Sequence, residues 1–331
     1  MIKRTLYFGN PAYLSTASEQ LVVEFPAPKD TPEIARQKPH TAPIEDIGVL
    51  VLDHQQITIS QALLAKLLHN NTAVITCDNT HHPTGMLLNL DGHTLQSKVF
   101  AAQIGASEPL KKQLWQQTIA AKIQNQAAAL GAVKEAGNLF GEPDKLLMNM
   151  ARDVKSGDSD NLEAQAAGYY WKRLFAPGPR GHPFTRDRYG DPPNNLLNYG
   201  YAILRAIVAR CLTGSGLLPT LGIHHRNQYN AYCLADDIME PYRPYVDKVV
   251  YGIAERHTLA GQPTAALELT KEIKTQLLAM PGMDVRISRS VNAKDLERSP
   301  LMVAVEKTTA SLARCYEGDN RKLLYPVMVI D

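Results

Sequence analysis

From Gln113 to Leu130 the chain runs without a glycine or proline. The stretch is rich in Ala, Gln, Leu and Lys, side chains that lose little freedom in a helix, and Gly131 is its first breaker. It predicts a long helix over Gln113–Lys134. The sequence before residue 100 has a different character, with short β-branched and aromatic runs between turn residues. A chain that changes period once, from strand to helix, segregates its elements. The expectation is an α+β fold with a β-rich N-terminal domain at 1–95, a boundary near 92–101 and an α-helical domain at 101–331.

In the first part, Thr5–Phe8 and Leu21–Phe25 read as strands around a Gly-Asn-Pro turn at Gly9–Pro11. Ile47–Leu52 (IGVLVL) is a continuous apolar run, as expected of a buried strand, and Ile57–Ile59 adds a short one. Ser60–His69 reads as a helix with Ser60 as N-cap and Leu63, Leu64, Leu67 and Leu68 as its apolar stripe. Thr72–Cys77 returns to strand. Pro26–Pro43 holds five prolines and reads as a loop or insertion.

Past Phe100, helices are expected at Lys145–Val154, Asn161–Phe175, Asn194–Thr213, Gln228–Met239 and Pro300–Glu317, separated by Gly/Pro loops. No internal repeat or low-complexity tract is present. The formal net charge of +2 argues against wholesale coating of nucleic acid but leaves room for a local basic face. The four cysteines are widely spaced with no C-x-x-C, which points away from a disulfide framework or structural zinc and toward a reducing cytosol. Met1–Phe8 lacks the apolar run of a signal peptide, and no stretch reaches membrane-spanning length, so a cytoplasmic protein without a membrane partner is expected.

Three groups of residues carry chemistry. The first is Leu221–Pro244, LGIHHRNQYNAYCLADDIMEPYRP, with His224 and His225 in a Gly-led turn and Asp236, Asp237 and Glu240 on an apolar segment stopped by Pro241. Asp237 and Glu240 share a helix face at i, i+3. In isolation, paired histidines and D-D-x-x-E are more often solvated surface. Here the flanking Ile223, Leu234, Ile238 and Met239 set the carboxylates on a buried helix, where unpaired charge is expensive. The second is Glu163, whose helix neighbours Ala166 and Ala167 leave room for another element or a ligand; its bland reading is an exposed helix glutamate. The third is the run Tyr169–Tyr189, where Lys172, Arg173, Arg180, Arg186 and Arg188 alternate with aromatics around a single acid, Asp187. Basic groups neutralise phosphates and aromatics stack on unpaired bases. Arg226 and Arg243 add positive charge beside the first group.

Together these residues resemble the CRISPR-associated spacer-acquisition integrases, the Cas1 family. The resemblance is carried by L-G-I-H-H-x-N-x-x-N followed by L-A-D-D-I-M-E-P-Y-R-P-x-V-D (Leu221–Asp247). E-A-Q-A-A-x-Y-Y-W upstream, R-T-L-Y-F at the N-terminus and L-L-Y-P near the C-terminus support it. The I-H-H and M-E-P-Y-R-P wording looks most like type II members.

The resemblance implies a metal triad of Glu163, His225 and Glu240, catalytic and metal-ligating, with Asp237 behind it. The ion would be Mg²⁺ or Mn²⁺. It implies endonuclease and integrase chemistry, in which a spacer 3′-hydroxyl attacks a repeat phosphodiester and captured DNA enters the CRISPR array. Lys172, Arg173, Arg180, Arg186, Arg188, Arg226 and Arg243 are the candidate DNA contacts. The implied partners are double-stranded DNA, a second copy of the chain joined through the β-domain, a small Cas2 dimer between two such dimers, and other adaptation proteins. Two rivals stand beside this reading: a non-catalytic DNA-binding scaffold, and a metal hydrolase of small phosphoesters, which has no need of the Lys172–Arg188 cluster.

Overall fold

The computed structural model describes residues 3–26, 38–135, 142–175, 184–293 and 295–329. The chain divides into two compact units, Met1–Thr94 and Leu95–Asp331.

The first unit contains β1 (Arg4–Phe8), β2 (Ala12–Ala17), β3 (Gln20–Glu24), β4 (His40–Pro43), β5 (Ile47–Leu52), β6 (Ile57–Ile59), α1 (Gln61–His69), β7 (Ala73–Cys77) and β8 (Pro83–Leu87). Two four-stranded sheets form, in the orders β1-β5-β7-β8 and β4-β3-β2-β6. β5 runs parallel to both neighbours, and Ile47 to Val51 are all buried, as a strand covered on both faces requires. The period-2 alternation of β2 and β3 turns Ala12, Leu14, Leu21 and Val23 into a core shared with Ile44, Ile47, Leu50, Val74 and the α1 pair Leu63 and Leu67. Ser60 caps α1, its side chain accepting from Leu63 N.

Two expectations change in this unit. The turn after Phe8 leads into a full strand, β2, which pairs with β3 through a two-residue turn at Ser18 and Glu19. Both turn residues have positive φ, 49° and 58°. That geometry usually selects Asn or Gly, so the hairpin carries no sequence signal. In the proline-rich stretch, residues 27–37 lie outside the described ones, but His40–Pro43 is strand rather than loop. It is an edge strand, the place where a sheet tolerates proline.

The second unit contains α2 (Gln96–Ile104), α3 (Glu108–Glu135), α4 (Pro143–Asp153), α5 (Leu162–Leu174), α6 (Asn194–Gly214), α7 (Cys233–Met239), α8 (Arg243–Leu259), α9 (Lys271–Ala279), the hairpin β9 (Asp284–Ser288) and β10 (Leu296–Pro300), and α10 (Leu301–Glu317). α3 is a central helix, packed against α4, α5 and α8. Its buried residues include the polar Thr118, Lys122, Asn125 and Gln126 as well as Leu114, Trp115, Ile119 and Ile123. α6 is buried along most of its length and meets α8 closely: a Cβ on Gly200 would stand 2.5 Å from Val246 Cγ1. Among the described residues no helix is long and apolar enough to cross a membrane.

The helix expected over Gln228–Met239 starts five residues late, at Cys233. The side chains of Asn227 and Asn230 accept from Tyr229 N and Tyr232 N and hold the intervening chain in turns. Pro241 does not end the helical path. It sits in the first turn of a 3-10 segment, Glu240–Tyr242, where a missing N–H costs no bond, and α8 follows directly.

Candidate active site

α3, α5 and the α7–α8 segment build the site within the second unit. Glu163 is the second residue of α5. The turn before it places the Asp158 carboxylate on the free helix N-terminus, accepting from Leu162 N at 2.9 Å and Glu163 N at 3.0 Å. This fixes where Glu163 leaves the helix. Glu240 enters from the 3-10 turn after α7 and is 4% exposed. That turn is tied to α3 by Asn125, which donates to the Pro241 carbonyl at 2.7 Å. Asn125 also donates to the Pro326 carbonyl and accepts from Met328 N, so the L-L-Y-P segment braces the same helix.

Glu163 and Glu240 come together around a shared cation, the Lys122 ammonium. Its Nζ stands 2.7 Å from Glu163 Oε1 and 2.7 Å from Glu240 Oε2. Glu240 Oε2 is a buried oxygen, and it meets Lys122 as an ion pair. Arg243 Nε faces Glu240 Oε1 at 2.8 Å. Burial alone would push the Glu240 carboxyl up, but Arg243 and Lys122 outweigh it and hold it below the ordinary carboxylate range.

His225 reaches the site from the loop before α7. Asp237, fully buried, accepts from Ile223 N and His224 N at 2.6 and 2.9 Å, and its Oδ1 lies 2.5 Å from His225 Nδ1. One carboxylate thus shapes the loop and aims the imidazole. The hydrogen bond to Asp237 raises the His225 pKa against the pull of burial, with added influence from Glu240 and Glu163. Gly222 makes the loop possible, because a Cβ there would stand 2.3 Å from the His225 carbonyl oxygen. His224 stacks on Trp115 with ring centroids 4.3 Å apart, and His225 meets the same indole edge-on at 5.8 Å. Asp236 faces away and joins Arg205 and Asn230.

Beside Glu240 lies a cavity of about 210 Å³ lined by Lys122, Gln126, Trp171, Arg186, Tyr201, Glu240, Arg243 and Asp247. Three of these are cations. The guanidinium of Arg243 lies 4.6 Å from the Tyr201 ring centre and that of Arg186 5.3 Å from it. Asp247 accepts from Tyr170 and Tyr201 hydroxyls at 3.0 and 2.5 Å. Burial pushes its carboxyl up to about 7, against the two hydroxyls and the nearby charges of Arg243 and Arg186.

The remaining basic candidates divide. Arg186 donates to Asn194 and Asn198, Arg173 stacks on Tyr169, and Arg226 pairs with Glu108. Lys172 and Arg188 are exposed. Arg180 lies outside the described residues. Of the aromatics, Trp171, Phe175 and Phe184 pack on one another, while Tyr189 is exposed. Reasoning from sequence missed Lys122, Trp115 and Asp158. The first two sit one heptad apart on α3, and that spacing was the available signal.

Among the described residues no group of three or more His, Cys, Asp or Glu side chains stands ready to hold a metal ion. With Lys122 moved aside, however, the residues fit one. Glu240 Oε2 is a buried anionic oxygen already facing a cation, Glu163 supplies a second carboxylate, and His225 keeps Nε2 for ligation while Nδ1 is held by Asp237.

The family profile described as CRISPR associated protein Cas1 matches residues 6–280. The chain is 35% identical over 324 residues to the CRISPR-associated endonuclease Cas1 of Neisseria meningitidis serogroup C (strain 8013), covering 98% of this chain and 95% of that protein. It is 29% identical over 218 residues to CRISPR-associated endonuclease Cas1 2 of Pyrobaculum aerophilum, covering 64% and 73% of the two. The fold is similar to that of a casposase bound to integration product, with TM-score 0.73 at 20% identity over 98% of this chain and 92% of that one. It is also similar to a chain of a Cas6-RT-Cas1–Cas2 complex, with TM-score 0.69 at 20% identity over 97% of this chain and 35% of that one. The match to the profile, together with identity over nearly the full length, shows that the chain belongs to the CRISPR-associated Cas1 family.

Proposed function

We propose that this protein is a metal-dependent DNA endonuclease and integrase that inserts captured DNA into a CRISPR array. The observation that carries the reading is the meeting of Glu163 and Glu240, from separate elements, around one cation beside an oriented His225. Family membership and the similarity to a casposase fold support it.

Glu163, His225 and Glu240 would hold a Mg²⁺ or Mn²⁺ ion. When bound, such an ion supplies Lewis-acid stabilisation of the phosphoryl transition state and activation of the attacking hydroxyl. The chain's own residues do the rest. Asp237 orients the imidazole so that Nε2 faces outward for ligation. Arg243 and Lys122 keep Glu240 ionised. Arg186, Arg243 and Lys122 give the adjacent cavity the charge to accept a phosphate of the bound duplex. Lys172, Arg173, Arg188 and Arg226, with Arg180, are the further candidates for backbone contact. A homodimer formed through the β-rich unit and a small Cas2 dimer complete the proposed assembly, supported by the Cas1–Cas2 complex among proteins of similar fold.

One observation favours the rival, a non-catalytic DNA-binding scaffold: Lys122 already fills the space between the carboxylates. The two readings part on strand transfer of a short duplex into a repeat-bearing plasmid, with Mn²⁺ or Mg²⁺ and the Cas2 partner present. The integrase reading expects product with the wild type and none with Glu163→Ala, His225→Ala or Glu240→Ala. Normal integration by those variants would sink the triad. Salt-sensitive DNA binding with no metal-dependent product would establish the scaffold.

A further inference from the structure

Lys122 is 8% exposed, and a buried ammonium is costly unless anions compensate it. Glu163 and Glu240 do so, each at 2.7 Å. Arg243 is a further cation beside the pair and meets Glu240. The lysine therefore holds together two side chains from distant parts of the sequence.

A divalent ion held by Glu163 and Glu240 would compete with the Lys122 ammonium for the same two carboxylates. Mg²⁺ sits about 2.0–2.1 Å from its oxygen ligands. Nζ is 2.7 Å from Glu163 Oε1 and from Glu240 Oε2, so a divalent ion taking those oxygens would meet a like charge already in contact with both. Ammonium and metal oppose one another by charge at this range. The lysine's flexible stem and the cavity it already lines give the head group a way out.

We propose that Lys122 is a resident counter-cation of the candidate metal site: it pre-forms the Glu163–Glu240 pair in the metal-free protein and is displaced when a divalent ion binds. Lys122 is thus a positioning residue that acts through the two glutamates. The inference rests on the metal-site reading above. It adds that the metal affinity of this protein is set below what its ligands alone would give, because each binding event must expel an ion already in place.

The test uses the full chain, with Mn²⁺ binding followed by calorimetry and by the paramagnetic signal of free Mn²⁺. Thermal unfolding is measured in chelator and in saturating Mn²⁺. Lys122→Met is expected to melt lower than wild type in chelator, to bind Mn²⁺ at least about tenfold more tightly, and to gain more in melting temperature on adding Mn²⁺. Lys122→Gln keeps a hydrogen-bonding head without charge and should show the same tightening, so the test survives if the methionine variant does not fold without metal. Lys122→Arg keeps the charge and should stay near the wild type in chelator. A residue important only for packing would lower stability without tightening the metal. Wild-type or weaker Mn²⁺ affinity in both neutral variants, with Glu240→Ala having lost the ion, overturns the inference and leaves the metal site standing. If Glu240→Ala binds Mn²⁺ like the wild type, the metal-site reading fails and the inference falls with it.

Discussion

Glu240 and Asp247 lie seven residues apart, line the same cavity and are 4% and 1% exposed, yet their carboxyl pKa values shift in opposite directions. Glu240 has Arg243 and Lys122 in contact and is held ionised despite its burial. Asp247 has two tyrosine hydroxyls instead, and burial pushes it up to about 7. Burial alone does not decide whether a carboxylate stays ionised. Cations in direct contact outweigh burial at Glu240, whereas two hydroxyls and the more distant charges of Arg186 and Arg243 do not at Asp247. The carboxylate given cations is the one proposed above as a metal ligand. The other joins α5, α6 and α8 through Tyr170, Tyr201 and Asp247.

The largest effect that tests this contrast is loss of the ionised member. Glu240→Gln keeps the shape and removes the charge, and strand transfer should fall by roughly 10³-fold or more. Activity within tenfold of wild type would remove the functional distinction between the two acids. Next comes the support of the imidazole. Asp237→Asn should lower Mn²⁺ affinity or strand transfer by about 10–100-fold while the fold survives, as calorimetry and product yield would show.

A smaller effect concerns the cation beside Glu240. Arg243→Gln should move the acid limb of the strand-transfer pH profile upward by about one pH unit or more, since an opposite charge in contact depresses a carboxyl by roughly 1–3 units. An unmoved limb would show that Arg243 does not set the charge of Glu240.

The smallest effect on activity is expected at Asp247, where the readout is stability. Its folded pKa of about 7 lies above the unfolded value near 3.8. Between those values the folded state holds the proton and the unfolded state does not. This group's contribution therefore falls as pH rises from about 4 to 7, by an amount on the order of 4 kcal/mol. Asp247→Asn should flatten that decline in chemical denaturation measured at pH 5 and pH 8. An unchanged slope would show that the carboxyl is already ionised throughout.

The parts legible in sequence were those whose causes are local. The Ser60 cap, the IGVLVL strand and the helix expected over Gln113–Lys134 depend on neighbouring residues, and each is present, the helix beginning five residues earlier at Glu108. The Ser18–Glu19 turn was missed because its positive φ values sit on residues that do not advertise them. The α7 start was misplaced because Asn227 and Asn230 compete for backbone N–H groups with their own side chains. At the site, His225, Asp237 and Glu240 lie in one run, so local reading brought them forward. Lys122 lies more than forty residues before Glu163 and among alanines and glutamines, where a lysine reads as solvated helix surface. Its burial follows from the packing of α3 against α4, α5 and α8, of which the one-heptad spacing from Trp115 is the local sign.

The central claim is that Glu163, His225 and Glu240 share one divalent ion in place of the Lys122 ammonium. Anomalous diffraction from crystals soaked in Mn²⁺ tests it most directly. The account predicts a peak about 2.0–2.3 Å from an oxygen of each glutamate and from His225 Nε2, with the Lys122 head moved toward the cavity. A peak elsewhere, or no peak under conditions where the protein performs strand transfer, would contradict it.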